Sequence, residues 1–378
     1  MSAPGRPAGD TGRRRHEGRR FSWRGRLAVA ALLGLVVAGV AGCSTIGYYA
    51  QSVGGHLDLV RRARPVGEVI GDPATPVPLR DRLMLAREMR DFAVRELALP
   101  DNRSYRSYAD LQRNAAVWNV VAAPELSLEL KRWCFMIVGC IGYRGYFDKD
   151  AAEREGAQQK AEGMDVNVYG VSAYSTLGRT DWLGGDPLLN TFIQWPELEL
   201  ARLIFHELAH QVAYAAGDTT FNESFATAVE RLGGERWRRD RGLPESDDAA
   251  IDRRRREFRA LGERTRAELA ALYGSSVPDD EKRAGKARIL GAMRAELQRL
   301  KIESWNGFSG YDAWGQRANN ATLGVQAAYD ELVPAFEKLF EQQGRDFARF
   351  HAEAKRLAAL PMAERRATLA AISPSGRP

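Results

Sequence analysis

Histidine is scarce in this 378-residue chain, with five in all, and cysteine is scarcer, with three. Three cysteines exclude a disulfide-stapled fold and leave room for one internal bridge. The one long apolar run, Leu27 to Val40, is fourteen residues, too short for a comfortable membrane span. Charge of one sign is lacking too, once the beginning is set aside. Residues 1–42 hold eight arginines and two acidic residues, a net +6 that is the whole chain's excess, and the remainder is balanced at 47 basic and 47 acidic residues. The basic balance therefore belongs to the leader, and the body offers nothing that argues for nucleic-acid binding.

Against that scarcity, two of the histidines sit four apart, in Phe205-His206-Glu207-Leu208-Ala209-His210. At this histidine content such a match arises by chance in roughly one chain in two hundred. Helical geometry puts His206 and His210 on one face, about one turn apart, so that both imidazoles reach one metal ion. Glu207 lies between them, where it can take a proton from a water at the metal's open position. The surrounding residues predict a helix from Pro196 through Leu198, Leu200, Leu203, Ile204, Phe205, Leu208 and Val212 to Ala216, ended by Gly217-Asp218. Apolar residues on nearly every side predict that it is buried, and buried histidines and a glutamate need partners that a metal supplies.

A catalytic zinc takes three protein ligands and leaves the fourth place to water. His16, His56 and His351 have no motif context. Glu223 has one, because it opens a second helical run, Glu223 to Glu230, after a turn long enough to return the chain against the first helix. Thr220-Phe221-Asn222-Glu223 also fits a capping box, in which the glutamate only bonds back to the backbone. The segment Asn222-Glu223-Ser224-Phe225-Ala226 resembles the Asn-Glu-Gly-Phe-Ala segment that supplies the third zinc ligand in aminopeptidase N-type gluzincins. More closely, the block from Tyr169 to Glu230 resembles a family of bacterial proteins labelled predicted aminopeptidases. The matching pieces are Ala173–Gly178, Asp186–Leu189, Leu203–Gln211 and Gly217–Ala226, with outlying ones at Trp118-Asn119, Ala123–Ser127, Tyr143–Phe147 and Asn319–Ala321. This resemblance spans about Leu97 to Leu360. It implies a zinc metallopeptidase with His206, His210 and Glu223 as Zn2+ ligands and Glu207 as general base. The chain departs from the aminopeptidase N pattern in two ways. Only twelve residues, 211–222, separate the last histidine from the glutamate, fewer than those enzymes place there, and the Gly-x-Met-Glu-Asn segment that holds a substrate's free amine is missing. The zinc site carries over; exopeptidase specificity does not follow.

The expected fold is α+β and mostly helical: a zincin-like core with a small β-sheet packed on the active-site helix, and a helical C-terminal half. Strands are expected at Val117–Val121, Cys134–Val138 and Val166–Ala173. Val168–Ser172 is either an edge strand that pairs with an extended peptide or an interior strand. Helices are expected over Leu79–Leu97, from the caps at Ser275-Ser276 to Leu300, over Leu323–Phe340 and over Phe347–Leu357. Arg253–Arg256, flanked by acidic residues, reads as a solvated helix face. For a donor to the developing oxyanion the candidates are Tyr311, then Tyr329 and His351, each with a structural reading beside the catalytic one. Glu230, seven residues beyond Glu223 and so on the same helix face, either hydrogen-bonds a ligand histidine or is exposed. Arg144 is a substrate-carboxylate clamp or a structural arginine. Cys134 and Cys140 are two buried thiols on one strand, or are bridged around a turn.

The leader ends Val40-Ala41-Gly42-Cys43, which resembles the lipobox of bacterial lipoproteins, in which the cysteine is diacylated and becomes the new N-terminus. A single transmembrane anchor is the alternative. Ser44 after the cysteine implies, by the same resemblance, the outer membrane of a Gram-negative cell. The expected organisation is a signal peptide over 1–43, a membrane-proximal spacer over 44–78, the core over 79–235, a helical part of the same unit over 236–370 and a tail over 371–378. The expected activity is zinc-dependent peptide hydrolysis in the cell envelope, as an aminopeptidase. The alternatives are an amide hydrolase of cell-wall peptides and an idle zincin-fold scaffold. Peptide and membrane, through the lipid, are the expected partners; nucleic acid is not, and the sequence identifies no protein partner.

Overall fold

Apolar residues recur at helical spacing through most of the chain, and helices accordingly dominate the α+β fold. The computed structural model describes residues 47–135, 139–176, 181 and 184–372. The leader with Cys43, and residues 373–378 of the tail, lie outside these. The chain divides into residues 1–50, of which 47–50 are helical, and one compact unit over 51–378, which concerns all that follows.

In chain order this unit runs α1 (residues 51–62), β1 (Arg64–Pro65), α2 (Val66–Gly71), α3 (Val77–Leu97), β2 (Ser107–Ala109), β3 (Val117–Pro124), β4 (Trp133–Phe135), β5 (Gly139–Ile141), β6 (Arg144–Tyr146), α4 (Lys149–Ala161) and β7 (Met164–Val171). It continues with β8 (Leu188–Leu189), α5 (Glu197–Ala209), α6 (Thr219–Arg241), α7 (Glu245–Gly274), α8 (Asp279–Glu303), α9 (Asp312–Arg317), α10 (Asn320–Asp330), α11 (Val333–Gln342), α12 (Phe347–Ala359) and α13 (Met362–Ile372). The stretch expected as a spacer is part of the unit from residue 51 onward. Leu59, Val66 and Val69 are buried in the main core, and β1 pairs antiparallel with β2.

The sheet that concerns the site has the order β6-β3-β7, antiparallel throughout, with Trp118 opposite Tyr146 and Val120 opposite Val168. β3 is buried almost end to end because α4 and α10 both pack on it. β7 pairs with β3 alone among the described residues, so Val168 lies on an edge strand. The cysteine stretch is not one strand. β4 and β5 form a hairpin with Cys134 directly opposite Cys140, and a disulfide joins them. Across a hairpin the two Cα atoms are neighbours, whereas along one strand they would lie too far apart to bridge.

α5 and α6 cross at the centre of the main core. Gly233 permits the close approach: a Cβ there would stand 2.8 Å from Leu97 and 3.0 Å from Phe205. Phe92 stacks on Phe205 and meets Trp237 edge-on, and Phe225 of α6 packs against Phe336 and Phe350. Each such fully buried ring stabilises the fold by roughly 1.5–3 kcal/mol. A second, smaller core joins α7 to α8 and holds Leu269, Met293, Leu297 and Trp305. The helix expected over Leu323–Phe340 is broken into α10 and α11 at Glu331-Leu332. Pro334, in the first turn of α11, has no N–H with which to continue α10.

The start of α6 is tied to the far end of the chain. Asp218 is the N-cap and accepts from Phe221 N at 3.1 Å, while Arg365 and Arg366 of α13 each reach its carboxylate at 2.6 Å. Asp218 and Arg365 are both buried, so removing the carboxylate leaves a buried guanidinium without its counter-charge. Asp218→Ala is expected to lower unfolding stability by roughly 3–5 kcal/mol. Asp218→Asn, which keeps a capping oxygen, should cost less. Denaturant melts compare them, and an unchanged midpoint for the alanine variant would count against this account.

Candidate metal centre

α5 begins after Pro196, with Glu197 and Glu199 in its first turn where the helix dipole favours acids. It ends at Ala209, seven residues before the expected Ala216. His210 is the C-cap and still helical, at φ −58° and ψ −23°. Both rings therefore face the same side, with centroids 4.9 Å apart. Beyond His210 the chain tightens, with Gln211 N donating to Leu208 O and Val212 N to Ala209 O. Asn222 then folds it back: its side-chain amide donates to Ala215 O at 2.9 Å and accepts from Ala215 N at 2.7 Å, as a paired strand would. Gly217 completes the reversal at φ +79°, a conformation that favours glycine.

Because Asp218 caps α6, Thr220 does not, and the capping-box reading of Glu223 fails. Glu223 is the fifth residue of the helix, and its buried side chain faces the histidines. Its Oε2 stands 3.4 Å from His206 Nε2 and 3.6 Å from His210 Nε2. One ligand atom from each of His206, His210 and Glu223 lies within 4.8 Å of the others, so the three side chains could hold one metal ion. Glu223 Oε2 is buried and makes no well-formed hydrogen bond, which fits an oxygen meant for a cation. His206 turns its other nitrogen, Nδ1, to Glu230 Oε2 at 3.1 Å, so Glu230 is half-buried against a ring that it orients.

The electrostatics of the site are those of confined negative charge. Burial works against a charged His206, but the carboxylates of Glu223 and Glu230 outweigh it and hold its pKa well above the ordinary value. Burial takes His210 the other way, down to about 4. It also pushes the Glu207 carboxyl up to about 7, with the Glu223 charge adding to the effect. Glu223 and Glu230 stay below the usual range despite burial, Glu223 chiefly because of His210 and His206 and Glu230 because of His206. Three carboxylates thus crowd two imidazoles, and a divalent cation is the charge that balances them.

Of the tyrosines expected near the site, the structure brings in the second rather than the first. Tyr329, at the end of α10, lines the same recess as Glu223, and its ring lies nearly parallel to that of His206 at 6.3 Å. Its 37% exposure leaves it open to a ligand. Tyr311 is elsewhere: it stacks on Phe258 with 3.9 Å between centroids and touches Trp305 and Phe308 edge-on, inside the second core. The packing of α10 against α6 and the sheet delivers Tyr329. His351 is buried among Phe225, Phe347 and Phe350 with Nδ1 at 3.3 Å from Ala98 O, away from the metal set. Arg144 pairs with Glu155 of α4 at 3.0 Å, the structural reading of that residue. Within Arg253–Arg256, Arg255 pairs with Glu199 and Arg254 lies over the Phe308 ring, while Arg253 and Arg256 are exposed as expected of a solvated face.

A narrow recess opens beside Glu223, walled by Tyr143, Tyr169, Tyr329, Leu130 and Val325. Asn222, Asp218 and Arg365 shape the site without being legible as site residues. Arg365 lies 147 residues from its partner, and no local signal could have paired them.

Glu223→Ala is expected to abolish stoichiometric metal binding. Glu230→Gln should retain the metal with affinity lowered roughly 10–100-fold. Metal analysis and chelator competition on the folded variants measure both, and full metal content in Glu223→Ala would remove it from the ligand set.

No curated protein and no solved structure matches this chain. One family does, over residues 47–369, most of the chain and all of the metal centre. The chain belongs to the family described as "Putative aminopeptidase".

Proposed function

We propose that the chain is a zinc-dependent metallopeptidase with a zincin-like core, hydrolysing peptide bonds in the bacterial cell envelope. The observation that carries this reading is the convergence of His206, His210 and Glu223 ligand atoms within 4.8 Å, next to Glu207. Zinc held there would supply Lewis acidity, activating a water and polarising the scissile carbonyl. Two imidazoles and one carboxylate suit zinc as a donor set and leave room for a fourth ligand.

The chain's own groups divide the remaining work. Glu207, held near neutrality by burial, is suited to take a proton from the attacking water and return it to the leaving amine. Glu230 fixes the His206 ring. Tyr329, which shares the recess with Glu223 and stacks on His206, offers its hydroxyl to the oxyanion as charge develops, and so takes the role first expected of Tyr311. β7, an edge strand, can pair with an extended peptide, and the tyrosine-lined recess suits one uncharged side chain. Two features support an envelope location with a lipid at Cys43: the Val40–Cys43 segment and a disulfide in the folded unit, which fits an oxidising compartment. Among the described residues no helix is long and apolar enough to cross a membrane.

Glu207→Gln is expected to keep its zinc while losing roughly 10²–10⁴-fold in kcat. Tyr329→Phe should lose roughly 10²–10³-fold with metal content unchanged. Peptide hydrolysis measured beside metal analysis decides both. Wild-type activity surviving in Glu207→Gln would overturn the mechanism, and zinc binding with no hydrolysis of any peptide by the wild type would overturn the peptidase reading.

A further inference from the structure

Ser224 follows Glu223 in α6 and is fully buried, 0% exposed, in the interior of a helix, where a hydroxyl needs a partner. Its Oγ accepts from Leu332 N at 3.2 Å. Leu332 is the joint between two helices. α10 ends at Asp330, Leu332 is the N-cap of α11, and the Leu332 carbonyl accepts from Ala335 N and Phe336 N at 3.1 Å each. Tyr329 lies three residues before that joint.

α10 is anchored at both ends. At its start Asn319 donates to Val166 O at 3.0 Å, Asn320 N to Asp165 Oδ2 at 2.9 Å, and the Asn320 amide to Glu125 O at 2.8 Å, which ties the helix to the end of β3 and the start of β7. From Asn320 to Tyr329 is roughly 14 Å along the helix axis, so these bonds hold the far end from the tyrosine. Near Tyr329 the polar contacts differ in weight. Gln326 reaches Phe258 O of α7 only at 3.5 Å, and Glu331 meets Arg366 at 3.5 Å in a pair open to water, where it is screened. The bond to Ser224 is shorter and buried. Phe336 of α11 packs on Phe221 and Phe225 of α6, with ring centroids 5.2 and 5.5 Å away. Apolar packing of this kind is non-directional and sets how closely α11 lies on α6, whereas a hydrogen bond to one hydroxyl sets where along α6 the joint stops.

We propose that Ser224 is a positioning residue: its hydroxyl fixes the joint of α10 and α11 on α6 and so sets the Tyr329 ring beside His206 and Glu223. One turn of α6 then both presents Glu223 and holds the tyrosine that faces it. The consequence for catalysis rests on the peptidase reading; the placement of Tyr329 does not.

The test follows Tyr329 itself and then catalysis, in the zinc-loaded protein. With meta-fluorotyrosine placed at position 329, the fluorine NMR signal should move or broaden in Ser224→Ala. It should stay in place in Val69→Ala, a destabilising change in α2, which packs on α3, β1 and β2. Ser224→Cys, which keeps a weaker acceptor at the same point, should fall between wild type and Ser224→Ala, and it carries the comparison if the alanine variant does not fold. On a peptide, Ser224→Ala should lose roughly 10–100-fold in kcat with KM and zinc content unchanged, the scale of a group misplaced by about 1 Å. In a Tyr329→Phe background the same change should cost nothing further. If wild type cleaves no peptide but the fluorine signal responds as described, the peptidase reading fails and the placement of Tyr329 by Ser224 stands. A signal unmoved by Ser224→Ala, an equal change in Val69→Ala, or a full additional loss of kcat in the Tyr329→Phe background overturns the assignment.

Discussion

Burying the Glu223 carboxylate between two imidazoles is the constraint on which the rest of this structure depends. A charged oxygen deep in an apolar core is costly unless it is met by opposite charge in good geometry. Here Oε2 faces two Nε2 atoms at 3.4 and 3.6 Å, too far to be satisfied by either, and Glu230 adds a further negative charge behind His206. A cation held there, or a proton on His206, would offset that charge, and the carboxylates of Glu223 and Glu230 hold the His206 pKa above its ordinary value against the opposing effect of burial.

Meeting that constraint requires the two helices to be held in register, and the device is a short reversal that leaves little slack. Asn222 captures both backbone groups of Ala215, and Gly217 supplies the left-handed turn. Asp218 closes the new helix while bonded to two arginines of α13. Arg132 fastens the same turn to the disulfide hairpin, donating to Gly217 O and Cys140 O. Glu223 thus follows within two turns of a corner pinned from three directions, which brings it back against His206 and His210 after only twelve intervening residues.

Around this centre the sheet and α10 contribute hydroxyls rather than charges. Tyr143, Tyr169 and Tyr329 converge beside Glu223, and burial together with that carboxylate keeps each of them protonated well beyond neutral pH. Neutral donors near a buried anion add no repulsion, so a peptide of polar but uncharged backbone meets a compatible surface.

Much of this was legible in the chain. The spacing of His206, Glu207 and His210 places three side chains through helical geometry alone, and Glu230 follows Glu223 by two turns of the same helix. The helices over Val77–Leu97 and Phe347–Ala359 were legible for the same reason, apolar periodicity without interruption. Glu223 itself was open to two readings, since a capping box and a ligand share one local pattern, and only the position of the true cap at Asp218 separates them. Tyr311 and Tyr329 were indistinguishable as isolated aromatics, because which one reaches the site depends on how α10 lies against α6 and the sheet. The early end of α5, the bridge between Cys134 and Cys140, and the pairing of Asp218 with Arg365 were likewise undecided by local pattern. The sequence by itself determined the helix that presents His206, Glu207 and His210 together, because that follows from interactions four residues apart. The orientation of Glu223 toward the two histidines and the tyrosine beside it were decided by tertiary structure, since each depends on groups distant in the chain that only packing brings into contact.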